Sequence, residues 1–298
     1  MDLQTDILSA RTLVEEVSEL FSLPVIYDRL TDLLDDLDSE AGREEIADVI
    51  SHDPALMARV LKAANSARYQ PSYQINTVYD AVTTISDDDL RTLITTTTAI
   101  DAFNHVDTDL VDMDNFWNHS VCCGLAARIL AEKCQLAELD RVFVAGMLHD
   151  IGQLVMYHTV PALARQVLEK AGEPEEYRYR AEKEVIGVTH AQVGAELLKV
   201  WGFPEYLVEA VNFHHEPDKA KNYPIETSLV HISTGAVNRI EPSWNMSLAQ
   251  RESIAQINPY AWSITGLSPE IIHPTLEDVN IESFRVMCLL GPESMFIF

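Results

Sequence analysis

Apolar residues recur every three to four positions along almost the whole chain, and that period limits the fold more than any other feature. Residues 3–21 place Leu3, Ile7, Leu8, Val14, Val17, Leu20 and Phe21 on one stripe. Pro24 opens a second predicted helix, through about Leu37, whose other face carries Asp32, Asp35, Asp36 and Asp38 as a solvated acidic surface. Helices follow near 43–51, 54–64, 77–85 and 87–103, with 68–76 as a loop. Asp53-Pro54 is a strong start signal, because Asp caps the first N–H groups and Pro at the first helical position loses no needed bond. Asp87, Asp88 and Asp89 lie at the positive end of the next helix dipole. After a polar connector at 105–114, the period predicts helices at 115–134, 138–158, 161–171, 177–186, 189–201, 204–214 and 224–238. The tail carries Pro242, Pro259, Pro269, Pro274 and Pro292 and predicts two or three short helices. Glycine is scarce, at 11 of 298 residues, and no internal repeat is present. The expected fold is all-α and two-lobed, with boundaries at 1–105 and 106–240 and a C-terminal helical extension over 241–298.

Charge narrows the partners. The 47 acidic and 21 basic side chains give a formal net charge of −26, which repels a phosphate backbone or an anionic bilayer. Nucleic acid and membrane are therefore not expected partners, whereas a basic protein surface or a metal-bridged anionic ligand remains open. Cys122, Cys123, Cys134 and Cys288 form no C-x-x-C pair and no disulfide framework. Cys122 and Cys123 point about 100° apart on a helix, which does not suggest a metal clasp. A reducing compartment fits best. The N-terminus lacks a basic and apolar leader, and no apolar run reaches transmembrane length, so a cytoplasmic location is expected.

The histidines carry the chemistry. His119 shares a helical face with Cys123, Ala126 and Leu130. His149-Asp150 lies in a run, Val142 to Gly152, that is apolar on nearly all sides. His190 shares a face with Val193, Gly194, Leu197 and Trp201, and His214-His215 close the helix begun by Pro204. A lone inward His is commonly a satisfied core residue, and Asp150 could instead cap a helix or pair with Arg128 or Arg141. Five inward histidines and one buried acid from the same lobe are, together, the donor set of a Zn, Fe, Mn or Ni site of one or two ions.

In order, His119, His149-Asp150-Ile151-Gly152, His190-Ala191-x-Val193-Gly194 and His214-His215-Glu216-Pro217 resemble the HD superfamily of metal-dependent phosphohydrolases. The resemblance is closer to its HDOD branch. Leu23-Pro24, Ser51-His52-Asp53-Pro54-Ala55-Leu56, Ala64-Asn65-Ser66-Ala67 and Trp201-Gly202-Phe203-Pro204 complete the pattern over about residues 18–240. The resemblance implies an N-terminal helical bundle packed on a degenerate HD-type helical lobe. It assigns metal-ligand roles to His119, His149, Asp150, His190, His214 and His215. Glu184, one and a half turns before His190, is a candidate for an extra ligand by its spacing. The related HD-GYP phosphodiesterases hydrolyse a cyclic dinucleotide with a similar set. Two departures stand out. Thr234 occupies the position of a late Asp in the run His231-Ile232-Ser233-Thr234, and Gln153 replaces the Lys that follows His-Asp-Ile-Gly in active HD-GYP proteins.

Losing a carboxylate weakens charge neutralisation of a metal, and losing the Lys removes a cation for phosphate. The expected function is accordingly a bacterial signal-transduction output or adaptor protein with signalling proteins as partners. The alternatives are a metal-dependent phosphohydrolase acting on a nucleotide or cyclic dinucleotide, and a sensor of a small anionic ligand. No receiver-like segment is evident, so input is expected in trans.

Overall fold

A computed structural model describes residues 8–17, 30, 33, 40–52, 54–66, 68–103, 106, 109–137, 139–171, 175–238 and 257–290. The architecture is all-α, and the described residues contain no strand. In the first third lie α1 (Ala10–Val17), α2 (Glu40–Ser51), α3 (Pro54–Ala64), α4 (Val78–Thr84) and α5 (Asp87–Ala102). There follow α6 (Met113–Lys133), α7 (Leu139–Leu148), α8 (Ile151–Thr159), α9 (Pro161–Ala171), α10 (Glu175–Val185), α11 (His190–Val200) and α12 (Glu205–Phe213). The last are α13 (Pro224–Val237), α14 (Pro259–Thr265) and α15 (Ile272–Leu290). Apart from Leu30 and Leu33, both helical, the helix expected from Pro24 to Leu37 lies outside the described residues. Among the described residues no helix is long and apolar enough to cross a membrane.

The chain divides into two compact units. The smaller spans 22–104 and 284–298 and contains α2 to α5. Its core is aliphatic, with Ile46, Ile50, Val60, Val82, Leu90 and Ile94 fully buried. Thr77 and Ser86 cap α4 and α5 by accepting from the third backbone N–H beyond each. Asn65 fixes the loop after α3: its amide donates to Ile75 O at 2.8 Å and its carbonyl accepts from Ile75 N at 2.8 Å.

The larger unit spans 1–21 and 105–283. Its frame is the antiparallel pair α6 and α7, which touch backbone to backbone. A Cβ on Gly124 would meet Phe143 O at 2.9 Å, and one on Gly146 would meet Cys123 O at 2.8 Å. Ala127, Leu130, Ala131, Val142, Leu229 and Ile232 form a buried cluster in this frame, sealed from the tail by Ala261, Ile257, Trp262 and Ile271. The tail thus packs on the larger unit through residues 257–271. It also differs from the short helices expected there, because α15 runs for 19 residues. Pro274 was a breaker signal, yet it falls in the first turn of α15, where the missing N–H costs nothing.

The single helix expected over 138–158 is two helices, broken at His149-Asp150.

Candidate metal centre

In an unbroken helix, His149 and Asp150 would point about 100° apart. Here Asp150 is the residue before α8 (φ −100, ψ 2), and its carboxylate makes no cap to that helix. The break lets both side chains serve one centre. Gly152 then allows the start of α8 to meet the start of α11: a Cβ at Gly152 would lie 2.0 Å from His190 O. Thr189 and Gln192 close a capping box that starts α11 at His190. His214 and His215 follow the last turn of α12.

All six sequence-predicted residues converge. The Nε2 atoms of His149, His190, His119 and His214 lie 3.4, 3.1, 3.9 and 4.0 Å from the nearer Asp150 carboxylate oxygen. His190 Nε2 is 3.4 Å from His214 Nε2 and 3.0 Å from His215 Nε2. His149, His190 and His214 are at most 1% exposed, Asp150 3% and His119 8%. Tyr179 stacks on the His215 ring with centroids 4.2 Å apart, closing that side.

Backbone and carboxylate acceptors set which nitrogen faces inward. His149 Nδ1 donates to Gly146 O at 2.7 Å, and His214 Nδ1 donates to Val211 O at 2.7 Å. His190 Nδ1 donates to Glu182, at 2.7 Å from Oε2 and 2.9 Å from Oε1, and Glu182 Oε2 also accepts from His190 N at 2.8 Å. With Nδ1 occupied, each ring presents Nε2 to the centre, the tautomer a metal ligand requires.

The electrostatics follow from burial. Desolvation lowers His149 to about 4, against partial support from Asp150. It also drives His214 and His215 well below 6.5, with neighbouring imidazoles adding to the effect. His190 is the exception. Burial opposes its charge, but Glu182 and Asp150 on either side raise it to about 10. Burial pushes the Asp150 carboxyl up, and the imidazoles of His149 and His190 more than offset this, holding it well below the usual range.

The donor set fits a divalent transition ion. Nitrogens bound to one tetrahedral zinc are about 3.3 Å apart, given Zn–N of about 2.0–2.1 Å, and the His190–His214 and His190–His215 separations bracket that value. Among the described residues, three groups bring their ligand atoms within 4.8 Å of one another: His119, Cys123 and His149; His190, His214 and His215; His149, Asp150 and His214.

The structure corrects the minor expectations. Asp150 is surrounded by imidazoles, and Arg141 instead lies over the Tyr206 ring. Glu184 is exposed and pairs with Lys170, whereas Glu182 is buried and holds the outer nitrogen of His190. Glu182 is three residues after Tyr179 and four before Ile186, both buried in the structure, and so lies on the inward stripe. Thr234 turns its hydroxyl back to Val230 O at 3.0 Å. Gln153 Oε1 accepts from Tyr157 OH at 3.0 Å and from Arg178 Nη1 at 2.6 Å.

Residues 20–217 match the HDOD domain. An uncharacterized protein of Treponema pallidum (strain Nichols) is 26% identical over 172 residues, 57% of this chain, and the chain spans only 33% of that relative's length. A crystal structure of an HDOD domain protein with unknown function from Geobacter sulfurreducens superposes with a TM-score of 0.75 at 24% identity, covering 98% of this chain and 100% of that one. A Shewanella amazonensis SB2B protein, provisionally described as a phosphohydrolase, superposes with a TM-score of 0.69 at 26% identity, covering 96% and 100%.

Proposed function

The chain belongs to the HDOD domain family, and from that membership we propose that it is a signal-transduction output or adaptor protein whose HD-type lobe holds a divalent transition metal without efficient phosphodiester hydrolysis. One observation carries the reading: four imidazole Nε2 atoms gather within 4.0 Å of Asp150, while Thr234 spends its hydroxyl on its own helix. The cage is rich in neutral donors and short of anions. Such a set retains an ion through imidazole coordination, and Asp150 supplies the carboxylate charge.

Each residue has a separate task. His149 and His214 offer lone pairs fixed by their backbone anchors, and Glu182 aims His190. His190 carries the proton that leaves when its Nε2 is needed as a ligand. Bound there, a divalent ion would supply Lewis acidity and activation of water near neutral pH. The acidic exterior suits basic faces of signalling proteins as partners.

A second reading, hydrolysis of a nucleotide or cyclic dinucleotide, is favoured by Arg178. Its guanidinium binds Gln153 at the position where the HD-GYP pattern has Lys, so a cation is present beside the departure.

The deciding experiment uses the full chain purified without a polyhistidine tag. Its metals are measured, and hydrolysis of cyclic dinucleotides and a generic phosphodiester is assayed with added Mn or Fe. Near-stoichiometric metal with turnover no greater than metal alone is expected. Turnover abolished by Asp150→Ala would replace the adaptor reading with the hydrolase, and metal-free protein that takes up no ion would sink the cage.

A further inference from the structure

We propose that Cys123 is a metal ligand, so that the cage has a thiolate end, formed by His119, Cys123 and His149, and an imidazole end around His190, His214 and His215. The inference rests on the metal-cage reading and adds a donor that the HD pattern does not include.

The geometry begins in α6. His119 and Cys123 are four residues apart and share one face. Cys123 Sγ lies 3.4 Å from His119 Nε2, and its side chain is completely buried. Gly146 lets the α7 backbone press against the carbonyl of Cys123, which brings His149, three residues further along, to the same place. The ligand atoms of the three residues then fall within 4.8 Å of one another. A sulfur and a nitrogen on one tetrahedral zinc are separated by about 3.6 Å, from Zn–S of about 2.3 Å and Zn–N of about 2.0–2.1 Å. The observed contact needs little adjustment.

Chemistry points the same way. Two neutral imidazoles cannot offset the charge of a divalent ion, and the Thr234 hydroxyl is bound to Val230 O. Asp150, 3.9 Å from His119 Nε2, supplies one negative charge, and Cys123 is a second ionisable group, closer to that nitrogen at 3.4 Å. On binding, the S–H bond breaks, the proton passes to solvent and the sulfur lone pair goes to the ion. A buried cysteine often serves only as a small apolar side chain. Cys122 does not share the arrangement, since its sulfur faces Asn118 at 3.9 Å. Thiolate with imidazole selects a borderline-soft ion such as zinc over manganese or magnesium.

Cobalt(II) reports the difference. The reduced, metal-free full chain loaded with cobalt(II) should show visible d–d bands together with an intense near-ultraviolet thiolate-to-cobalt band. Cys123→Ser should lose the near-ultraviolet band and keep the visible ones, while Cys122→Ser keeps both. Should Cys123→Ser fold poorly, X-ray absorption of the zinc-loaded wild-type chain gives an independent answer, with one sulfur expected among the zinc neighbours. Visible bands without the near-ultraviolet band, or a zinc shell of light atoms only, would overturn the role of Cys123 and leave the cage standing. Absence of any cobalt or zinc uptake would overturn the cage itself, and this inference with it.

Discussion

Glu182 holds His190 through both the ring Nδ1 and the backbone N–H, so it orients a donor without facing the centre itself. Glu182→Gln keeps the volume and one acceptor but removes the charge that sustains the His190 proton. Metal affinity should fall by about 10–100-fold, measured by competition with a chromophoric chelator, with the helical circular-dichroism signal unchanged. Unchanged affinity would assign Glu182 a packing role only. The opposed histidine shifts also set how the metal-free protein responds to pH. His149, His214 and His215 are depressed below their unfolded value of 6.5, so the stability they permit is present above pH 6.5 and is lost as pH falls below it, for His149 toward about 4. His190 is raised to about 10, so its contribution is complete below pH 6.5 and is lost as pH climbs through about 10. With chelator present, urea midpoints across pH should peak near 6.5 and fall more steeply on the acid side; a flat acid limb would contradict the burial of these rings. Inward placement of the six residues was legible from helical spacing. Glu182 was not, because Glu184 looks equivalent until the face carrying Tyr179 and Ile186 is known to be buried.

At the scale of elements, the centre depends on a helix that stops and restarts. The stretch from Val142 to Tyr157 has no Pro and an apolar period that continues through His149-Asp150, so the sequence pattern alone cannot show the break. What enforces it is tertiary: the start of α8 must meet the start of α11, and Gly152 is the residue that permits this. Gly152→Ala would force a methyl to within 2.0 Å of His190 O unless backbones move. Overpacking of this kind costs about 1–3 kcal/mol or more. The variant should show a clearly lowered melting temperature and weakened metal retention, and wild-type values for both would show that α8 and α11 are not so closely seated. Elsewhere, helix starts rest on local contacts: Thr77, Ser86 and Thr189 each cap the helix that follows. In the tail the sequence misleads for an opposite reason: Pro274 reads as a stop yet sits where a first turn tolerates it.

For the whole molecule, the −26 charge is a cost spread over the surface. Like charges repel in the compact state, and screening relieves them over about 10 Å at 0.1 M salt. Added sodium chloride should therefore raise the thermal midpoint steadily from low ionic strength, followed by differential scanning calorimetry; a midpoint indifferent to salt would mean that pairs such as Arg165–Asp109 already balance the field. The centre is insulated from that surface and has a different relation to the fold. Its donors come from α6, the α7–α8 turn, the start of α11 and the residues after α12, a stretch from His119 to His215. Unfolded, the chain keeps only the neighbours His149-Asp150 and His214-His215 together. An ion can thus be captured only once these four segments have docked, and it can leave only when they part. Bound metal should act as a latch on unfolding rather than a seed for folding, with a residence time governed by the opening of packed helices.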